Sequence, residues 1–480
     1  MMDIAEIGDI TEQELRASLH RAADWIATFR AELASLPVAP SIAPGDLLAQ
    51  LETELPAEGA SMDALLNEFE RVIPGSLVHW SHPRFLGYFG WTTTGPGIVA
   101  ETLAAALGLN AMTWRTAPGA TELETRVLEW IRTLMGLPDE FIGVVYDTAS
   151  VSTMHALACA RERVVPNAGR DGLSGPPLRV YASEQAHNSI EKGTVALGIG
   201  SSNVVRVACD DEFRMRPDAL AAAIERDRAA GLRPAAVVAT IGTTSTASSD
   251  HVSSIADVCR DQRVWLHVDA AYGGAVALLP ECRDLVDGLE RADSIVFNPH
   301  KWLFVPLDFS VLFTRHPQEL RAIFSLRAEY LHGDAARAQI DYMDYGLQLG
   351  RRFRALKAWM VLRAFGADGL RARIREHRRL ARVFRDWVLQ GDGFELAAPV
   401  EMGVVCFRWA PPALDDAAAD RANAAIVDAV IASGRGYLTQ TRLHGRVVMR
   451  IGLGNILTTE ADMLEVWHAI VECTAVQPIA

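Results

Sequence analysis

The chain has 480 residues, of which 50% are hydrophobic and 22% are charged, and its formal net charge at pH 7 is −14. This length predicts two or three domains, and the composition is that of a packed globular protein rather than a disordered one. The negative charge argues against nucleic acid as a partner, because phosphate binding needs basic patches.

The ends and cysteines of the chain indicate a cytoplasmic protein. Residues 1–6 carry neither a positive region nor an apolar core, so we expect no secretory signal. No stretch approaches the roughly 18–20 apolar residues that span a bilayer, so no membrane span is expected. The six cysteines form no C-x-x-C pair, which predicts reduced thiols rather than disulfides or a metal site.

The N-terminal part is predicted to form helices without a core of their own. Leu15, Leu19 and Ile26 recur at helical spacing, and a proline- and alanine-rich stretch at 36–40 then breaks the pattern. We therefore predict a helical arm over residues 1–85. Such an arm needs a partner surface to bury its apolar face, which suits a role in forming a dimer.

From about residue 140, strands and helices are predicted to alternate. Apolar runs of strand length are mostly separated by helix-period segments such as Arg216–Ala230 and His251–Gln262. This rhythm predicts an α/β domain over 86–375, with a mainly parallel sheet flanked by helices. A long helix at 353–391 then leads to a small α+β domain over 376–480. The predicted strands of the large domain are 141–146, 178–182, 204–209, 235–242, 264–270, 294–298 and 309–314.

A short basic cluster lies at the start of that long helix. Its members are spaced as on one face of a helix, which we interpret as a solvated face or a contact between subunits. The cluster consists of Arg351, Arg352, Arg354 and Lys357.

Polar side chains follow four of the predicted strands, at the edge of the sheet where α/β proteins bind ligands. Small and hydroxylated residues at 146–150 open a helix near Val151 and suit a phosphate, although an ordinary helix cap is the alternative. Asp269 ends another strand. A buried carboxylate there needs a partner such as a cationic ring nitrogen, unless it caps the backbone.

Lys301 and His187 follow the other two strands. Burial among the aromatic and apolar neighbours of Lys301 would lower its pKa and favour a neutral nucleophile, although a lone lysine is usually exposed. His187 could stack on an aromatic cofactor or transfer protons, although a lone histidine is more often structural. A phosphate turn, a carboxylate, a buried lysine and a stacking histidine are together what pyridoxal phosphate requires.

The sequence resembles the aromatic L-amino acid decarboxylases, within the pyridoxal-phosphate-dependent group II decarboxylases. The resemblance runs from about 79 to 359, with a compatible C-terminal domain beyond it. Its most specific part is Asn-Pro-His-Lys-Trp at 298–302 combined with His-Val-Asp-Ala-Ala-Tyr at 267–272. The other matching stretches are His82–Phe85, Ala120–Glu124, Glu184–His187, Thr240–Thr244 and Leu349–Phe353.

This resemblance implies a fold-type-I enzyme that is a homodimer with active sites at the subunit interface. Lys301 would bind the cofactor covalently, Asp269 would pair with the pyridinium nitrogen, and His187 would stack on the ring and take part in catalysis. Residues of three other stretches would complete the cofactor site. Ala149, Ser150 and His300 would bind the phosphate, and Thr243, Ala271 and Asn298 would line the site.

The resemblance also implies the reaction, which is decarboxylation of an aromatic L-amino acid to an amine. Tyr330 matches the tyrosine that protonates the product carbanion in this family. Gly350 lies where plant relatives tend to have glycine for indole substrates and serine for phenols, which favours tryptophan but leaves dopa, tyrosine and phenylalanine open. The expected substrate-binding residues are Tyr88, Phe89, Trp91 and Gly350.

Some positions depart from the family pattern and concern the substrate side chain. Trp91 stands where a small residue is frequent, and Asn110 and Met112 replace apolar and aromatic residues. Three alternatives stay open: an aldehyde synthase, disfavoured by Tyr330 and His187; a decarboxylase of acidic amino acids, which would need an extra cation; and a non-catalytic regulator, which an intact lysine and aspartate disfavour.

Overall fold

The computed structural model describes residues 8–325 and 340–475, and its centre is a seven-stranded sheet. The strands are β1 Ile142–Tyr146, β2 Leu178–Ser183, β3 Val204–Val207, β4 Arg233–Thr240, β5 Trp265–Asp269, β6 Ser294–Phe297 and β7 Ser310–Thr314. Their order is β1-β7-β6-β5-β4-β2-β3, and only β7 runs antiparallel to its neighbours in this sheet. The predicted strands and the mainly parallel sheet are confirmed.

Helices cover this sheet and form the N-terminal arm. Every residue of β5, β6 and β7 is buried, as expected of strands covered on both faces. The helices of this part are α1 Glu12–Glu32, α2 Met62–Val72, α3 Gly95–Leu107, α4 Pro118–Met135, α5 Ala149–Val164, α6 Ala168–Asp171, α7 Ser189–Ala196, α8 Pro217–Ala229, α9 Val252–Gln262, α10 Pro299–Trp302 and α11 Pro317–Phe324.

A second, smaller sheet is built by the C-terminal part of the chain. Its strands are β8 Phe394–Leu396, β9 Val404–Trp409, β10 Thr439–Leu443 and β11 Arg446–Gly452. They pair in antiparallel fashion, in the order β10-β11-β9-β8. The strands β8 and β10 were not predicted, because both lie at the edges of the sheet and lack a continuous apolar run. The helices of this part are α12 Ala355–Gln390, α13 Asp416–Ala432 and α14 Glu460–Thr474.

Helix α12 connects the two sheets. It is interrupted at Gly366, whose φ of 62° is the left-handed conformation that favours glycine. Its residues up to Ile374 pack into the core of the large sheet, and those from Leu380 onward pack into the core of the small sheet. The division into an arm, a large domain and a small domain stays a prediction, as does the role of the arm in a dimer.

The basic cluster at the start of α12 is not a solvated face, so that interpretation is wrong. Three of its four side chains are buried in ion pairs with acids from distant parts of the chain, which spacing along one helix does not reveal. Arg352 alone is exposed, and the alternative of a subunit contact stays a prediction. The three pairs are Arg351–Glu124 at 2.6 Å, Arg354–Asp308 at 2.9 Å and Lys357–Glu101.

The N-terminal arm keeps apolar side chains exposed. Helix α1 has no buried residue, and Leu15 and Leu19 each remain 47% exposed. Trp25 of α1 packs edge-on against Phe69 of α2, with 4.9 Å between ring centroids. Within residues 8–325 and 340–475, no helix has the length and apolar character to cross a bilayer.

Candidate active site

The N-terminus of α5 lies directly after β1 and is a potential phosphate site. Ala149 and Ser150 are the first two residues of the helix, and Thr148 is its cap without a side-chain cap bond. The first N–H groups of a helix have no acceptor within it, and the helix dipole adds a positive partial charge. The carboxylate of Asp147 accepts a hydrogen bond from the Thr148 backbone N–H at 2.6 Å, which helps to hold this turn.

Lys301 lies in the short helix α10, just after β6, and is partly buried. Its Nζ is 5.1 Å from the centroid of the Phe89 ring. Burial lowers the pKa of Lys301, the carboxylate of Asp269 opposes this change, and the guanidinium of Arg450 adds to it. The lysine is therefore held in surroundings that favour a neutral amine more than water does.

Asp269 ends β5 and is buried beside two basic groups. Its Oδ1 accepts the backbone N–H of Ala271 at 3.0 Å, so it does cap the backbone. Its negative charge raises the pKa of both Lys301 and His187 against the effect of burial. The carboxylate can therefore stabilise a cation in this site as well as the local turn.

His187 faces the same site from the segment after β2. Its Nδ1 accepts the backbone N–H of Ser189 at 3.1 Å, which places the proton of the neutral ring on Nε2. Burial lowers its pKa, the charge of Asp269 raises it, and Lys301 lowers it further. The neutral imidazole of His187 is thus held with Nε2–H as its hydrogen-bond donor.

Two buried groups near Lys301 have hydrogen-bonding capacity that the described residues do not use. Asn298 is buried, yet its Oδ1 has no partner among the described residues. His300 accepts the backbone N–H of Phe309 with Nδ1 at 2.9 Å, which places the proton on Nε2, for which the described residues provide no acceptor. Because an unpaired buried polar atom is costly, these groups fit a site completed by a polar ligand. Together with the α5 N-terminus, Asp269 and Lys301, they fit pyridoxal phosphate.

The buried hydroxyl of Thr243 also belongs to this region. It forms a 2.9 Å hydrogen bond with the hydroxyl of Thr246, and it accepts the backbone N–H of Ser248 at 3.1 Å. Its bonds are therefore satisfied within the turn after β4. Ala271 lies after Asp269 and is buried as well.

A cavity of about 550 Å³ opens beside Lys301. His187 and the predicted substrate-binding residues Tyr88, Phe89 and Trp91 line it together with the lysine. Gly350 is not among its lining residues, and of the described residues only Asn110, through Nδ2 at 3.8 Å, would lie within 4 Å of a Cβ at that position. The role of Gly350 stays a prediction, and Tyr330 lies outside the described residues.

One wall of the cavity is a stack of aromatic rings. Trp80 stacks on Trp91, with 4.4 Å between centroids and 8° between planes, and on Tyr88 at 5.4 Å and 14°. Trp80 was not singled out in the sequence, although it lies two residues before the family-like stretch at 82–85. These rings offer a planar apolar surface of the kind on which another aromatic ring can pack.

Arg450 of β11 is the other lining residue that sequence reasoning missed. Its Nε donates to the carbonyl of Ser245 at 2.9 Å and its Nη1 donates to the carbonyl of Tyr88 at 2.6 Å. Its Nη2 is buried and has no partner among the described residues. Burial lowers the pKa of this guanidinium, and Cys406 and Tyr272 oppose that change. The only signal in the sequence was an arginine within the apolar run at 447–451.

Comparison with known proteins agrees with this geometry. Residues 44–410 match the family described as pyridoxal-dependent decarboxylase conserved domain. The chain is 37% identical to the aromatic-L-amino-acid decarboxylase of Sus scrofa over 463 residues, with 93% of each chain covered. It is 35% identical to the phenylacetaldehyde synthase of Arabidopsis thaliana over 471 residues, with 96% of each covered. The crystal structure of Oryza sativa TDC with PLP and tryptamine has a TM-score of 0.94 and 33% identity, covering 98% of this chain and 100% of that one.

Proposed function

The chain belongs to the pyridoxal-dependent decarboxylase family, and from this premise we propose that it converts an aromatic L-amino acid to the corresponding amine and CO₂. The family confirms three predictions made from the sequence: the resemblance, the cofactor pyridoxal phosphate, and a carboxy-lyase with a fold-type-I architecture. One observation carries the proposal. A single cavity combines Lys301, His187 and a buried arginine with four aromatic side chains, Trp80, Tyr88, Phe89 and Trp91.

The described residues give each part of the cofactor a binding group. Ala149, Ser150 and His300 would hold the phosphate, Asp269 the ring nitrogen, and Lys301 the aldehyde carbon. When bound, pyridoxal phosphate supplies an electron sink for the pair released at the substrate α-carbon. His187 would stack on the ring, and Thr243, Ala271 and Asn298 would line its edge.

Arg450 is the candidate receptor for the substrate carboxylate. Its Nη2, which has no partner within residues 8–325 and 340–475, can donate a charge-assisted hydrogen bond inside the cavity, while Nε and Nη1 fix the guanidinium to the backbone. Lys301 and Arg450 both lie over the Phe89 ring, at 5.1 and 4.8 Å from its centroid. The carboxylate of an incoming amino acid would thus be held close to the side-chain amine of Lys301.

The aromatic side chain of the substrate would pack against the wall formed by Trp80, Tyr88 and Trp91. Among aromatic substrates, glycine at 350 favours tryptophan. Since Gly350 does not line the cavity of its own chain, its influence would have to be exerted across a subunit interface. We therefore include a homodimer in the proposal, supported by the exposed apolar residues of α1. A cytoplasmic location is also part of the proposal and is compatible with the free thiols of Cys159, Cys209, Cys259, Cys282 and Cys406.

The amine is proposed as the product rather than the aldehyde. The relatives include both kinds of enzyme. A phenylacetaldehyde synthase and an aromatic-L-amino-acid decarboxylase match this chain to a similar extent. His187 in the cavity and Tyr330 in the sequence support the amine, because departures at these positions accompany aldehyde formation in relatives. An aldehyde synthase would also release ammonia and hydrogen peroxide and would consume oxygen.

The test is to incubate the purified holoenzyme with each of the twenty amino acids and dopa, and to identify the products by mass. We expect CO₂ and an amine from at least one aromatic substrate, without hydrogen peroxide. Lys301→Ala is the control and should lose steady turnover. Turnover of glutamate or aspartate alone would contradict the proposal, and so would an aldehyde as the main product.

A further inference from the structure

Three aromatic rings form a stacked column behind the cavity. The Phe89 ring lies on the Tyr272 ring, with centroids 3.9 Å apart and planes 20° apart. Tyr272 in turn lies on Trp302, the residue after the lysine, at 4.6 Å and 3°. All three side chains are buried. Such close parallel packing fixes the position of each ring relative to the next.

The column is anchored at its far end by one turn that follows β11. The Tyr272 hydroxyl donates to the carbonyl of Leu453 at 3.0 Å. The indole N–H of Trp302 donates to Nδ1 of His377 at 2.8 Å, and Nε2 of His377 then donates to the carbonyl of Asn455 at 3.0 Å. Residues 453–455 therefore hold two members of the column through separate hydrogen bonds.

The near end of the column meets the two cations of the cavity. Tyr272 covers one face of the Phe89 ring so closely that the ammonium of Lys301 and the guanidinium of Arg450 can approach only the other face. A cation over an aromatic face is stabilised by the negative charge of the ring face. The position of Phe89 thus affects how strongly both cations are held.

We propose that Tyr272 is a positioning residue, which acts through Phe89 to keep an aromatic face beneath Lys301 and Arg450. Because the column is assigned to the site that carries the reactive lysine, this inference rests on the proposed function. The inference goes beyond the proposed function because it gives a role in catalysis to the Tyr272 ring, which does not line the cavity. Loss of the stack would release Phe89, and the ammonium of Lys301 would then be less stable.

The experiment measures the titration of Lys301 itself. Full-length protein freed of its cofactor is treated with a trace of an amine-reactive reagent across a range of pH, and mass spectrometry gives the fraction of Lys301 labelled. In Tyr272→Leu, the midpoint should move to lower pH by roughly 0.4–1.5 units, which corresponds to the usual strength of a cation–π contact. Tyr272→Phe keeps the stacked ring and should restore the wild-type midpoint.

Within the part of the chain that the structure describes, the charged and titratable groups near Lys301 are Asp269, Arg450, His187 and His300, and the Tyr88 phenol lines the same cavity; none of these is altered in the variants. Tyr181 provides the matched control. It is a fully buried tyrosine of β2 whose hydroxyl donates a 3.0 Å hydrogen bond to Asp227, away from the column. Tyr181→Leu should lower the unfolding temperature in the same way but leave the Lys301 midpoint unchanged.

An unchanged midpoint in Tyr272→Leu, or an equal change in Tyr181→Leu, would overturn the proposal. If Tyr272→Leu does not fold, Phe89→Leu removes the ring directly and should give the same change. The readout does not depend on the substrate. A failure to find an aromatic substrate would therefore count against the proposed function alone. An unchanged midpoint for Lys301 in Tyr272→Leu would count only against the proposed role of Tyr272.

Discussion

Arg450 and Asp269 are the two fixed charges through which single side chains would control this site. Arg450 brings to the cavity a guanidinium nitrogen that no described residue contacts by a hydrogen bond, and Asp269 brings a negative charge that raises the pKa of both Lys301 and His187. Each is buried, so its interaction with a ligand is screened far less than a surface contact. The effect of each charge can be measured separately, because Arg450 is proposed to bind the substrate and Asp269 is proposed to bind the cofactor.

Arg450→Gln should weaken binding of the amino-acid substrate far more than binding of its amine product. A hydrogen bond to a charged group is worth about 1.5–3 kcal/mol, so KM should rise roughly 10–100-fold. The amine lacks the carboxylate, and its dissociation constant should change little. Product inhibition and substrate kinetics measured on the same holoenzyme check this. An equal loss for substrate and amine would mean that Arg450 only supports the backbone of Tyr88 and Ser245.

Asp269→Asn should weaken cofactor binding by roughly 10–100-fold, because the neutral amide no longer stabilises a protonated ring nitrogen. A spectroscopic titration of the cofactor-free protein with pyridoxal phosphate gives the dissociation constant. Asp227→Asn is the control, since Asp227 is 5% exposed against 6% for Asp269 but binds Tyr181 instead. If both variants bind the cofactor equally well, Asp269 is not its partner.

At the scale of the elements, the buried pair Arg351–Glu124 joins the segment before α12 to α4. The pair has two hydrogen bonds, at 2.6 and 3.2 Å, and Arg351 also donates to the carbonyl of Val145 at the end of β1. Both residues belong to stretches that resemble the family. Their role is to fix two elements next to the turn that precedes α5.

Glu124→Gln should therefore destabilise the protein strongly. Removing one charge of a buried pair leaves the other uncompensated, which costs about 3–5 kcal/mol. Chemical unfolding followed by circular dichroism would record the loss. Glu12→Gln removes the partner of Arg16 in an exposed pair of α1, and it should have little or no effect. Similar unfolding midpoints for the two variants would contradict the importance of the buried pair.

At the scale of the whole molecule, burial of neutral histidines makes stability depend on pH. Burial lowers the pKa of His82, His155, His267 and His377 from 6.5 to about 4. Between these values the unfolded chain binds protons that the native protein does not. The free energy of unfolding therefore falls as the pH drops from 6.5 to about 4.

The predicted slope is roughly 1.4 kcal/mol per pH unit for each of these histidines. Asp250 acts in the opposite direction, because burial raises its pKa from 3.8 to about 6, so the native protein gains its proton first as the pH falls. Asp250→Asn should make the acid side of the stability profile steeper, and His155→Gln should make it shallower. Urea unfolding at several pH values tests this, and a flat profile between pH 4 and 6.5 would refute it.

Local sequence was sufficient to locate residues near the ends of strands. It was insufficient to locate residues whose partners are distant in the chain. The placement of Lys301, Asp269 and His187 at the carboxyl ends of strands was predicted because each lies at or shortly after the end of an apolar run and in a distinctive motif, and the roles of the three residues stay predictions. Arg450 was not, because its backbone partner Ser245 is 205 residues away. The ion pairs of the basic cluster were missed for the same reason, since their acids lie on other elements.

The late position of Arg450 in the chain has a consequence for biosynthesis. Ribosomes add about 5–20 residues per second, so Arg450 emerges roughly 7–30 s after Lys301. Until then, the carbonyls of Tyr88 and Ser245 lack this donor, and the 453–455 turn that anchors Tyr272 does not exist. The large sheet can assemble on the nascent chain, but the cavity reaches its final form only after β11 and the turn that follows it have been synthesised. A nascent chain stalled before β11 should therefore hold the reactive lysine without the guanidinium proposed to bind the substrate.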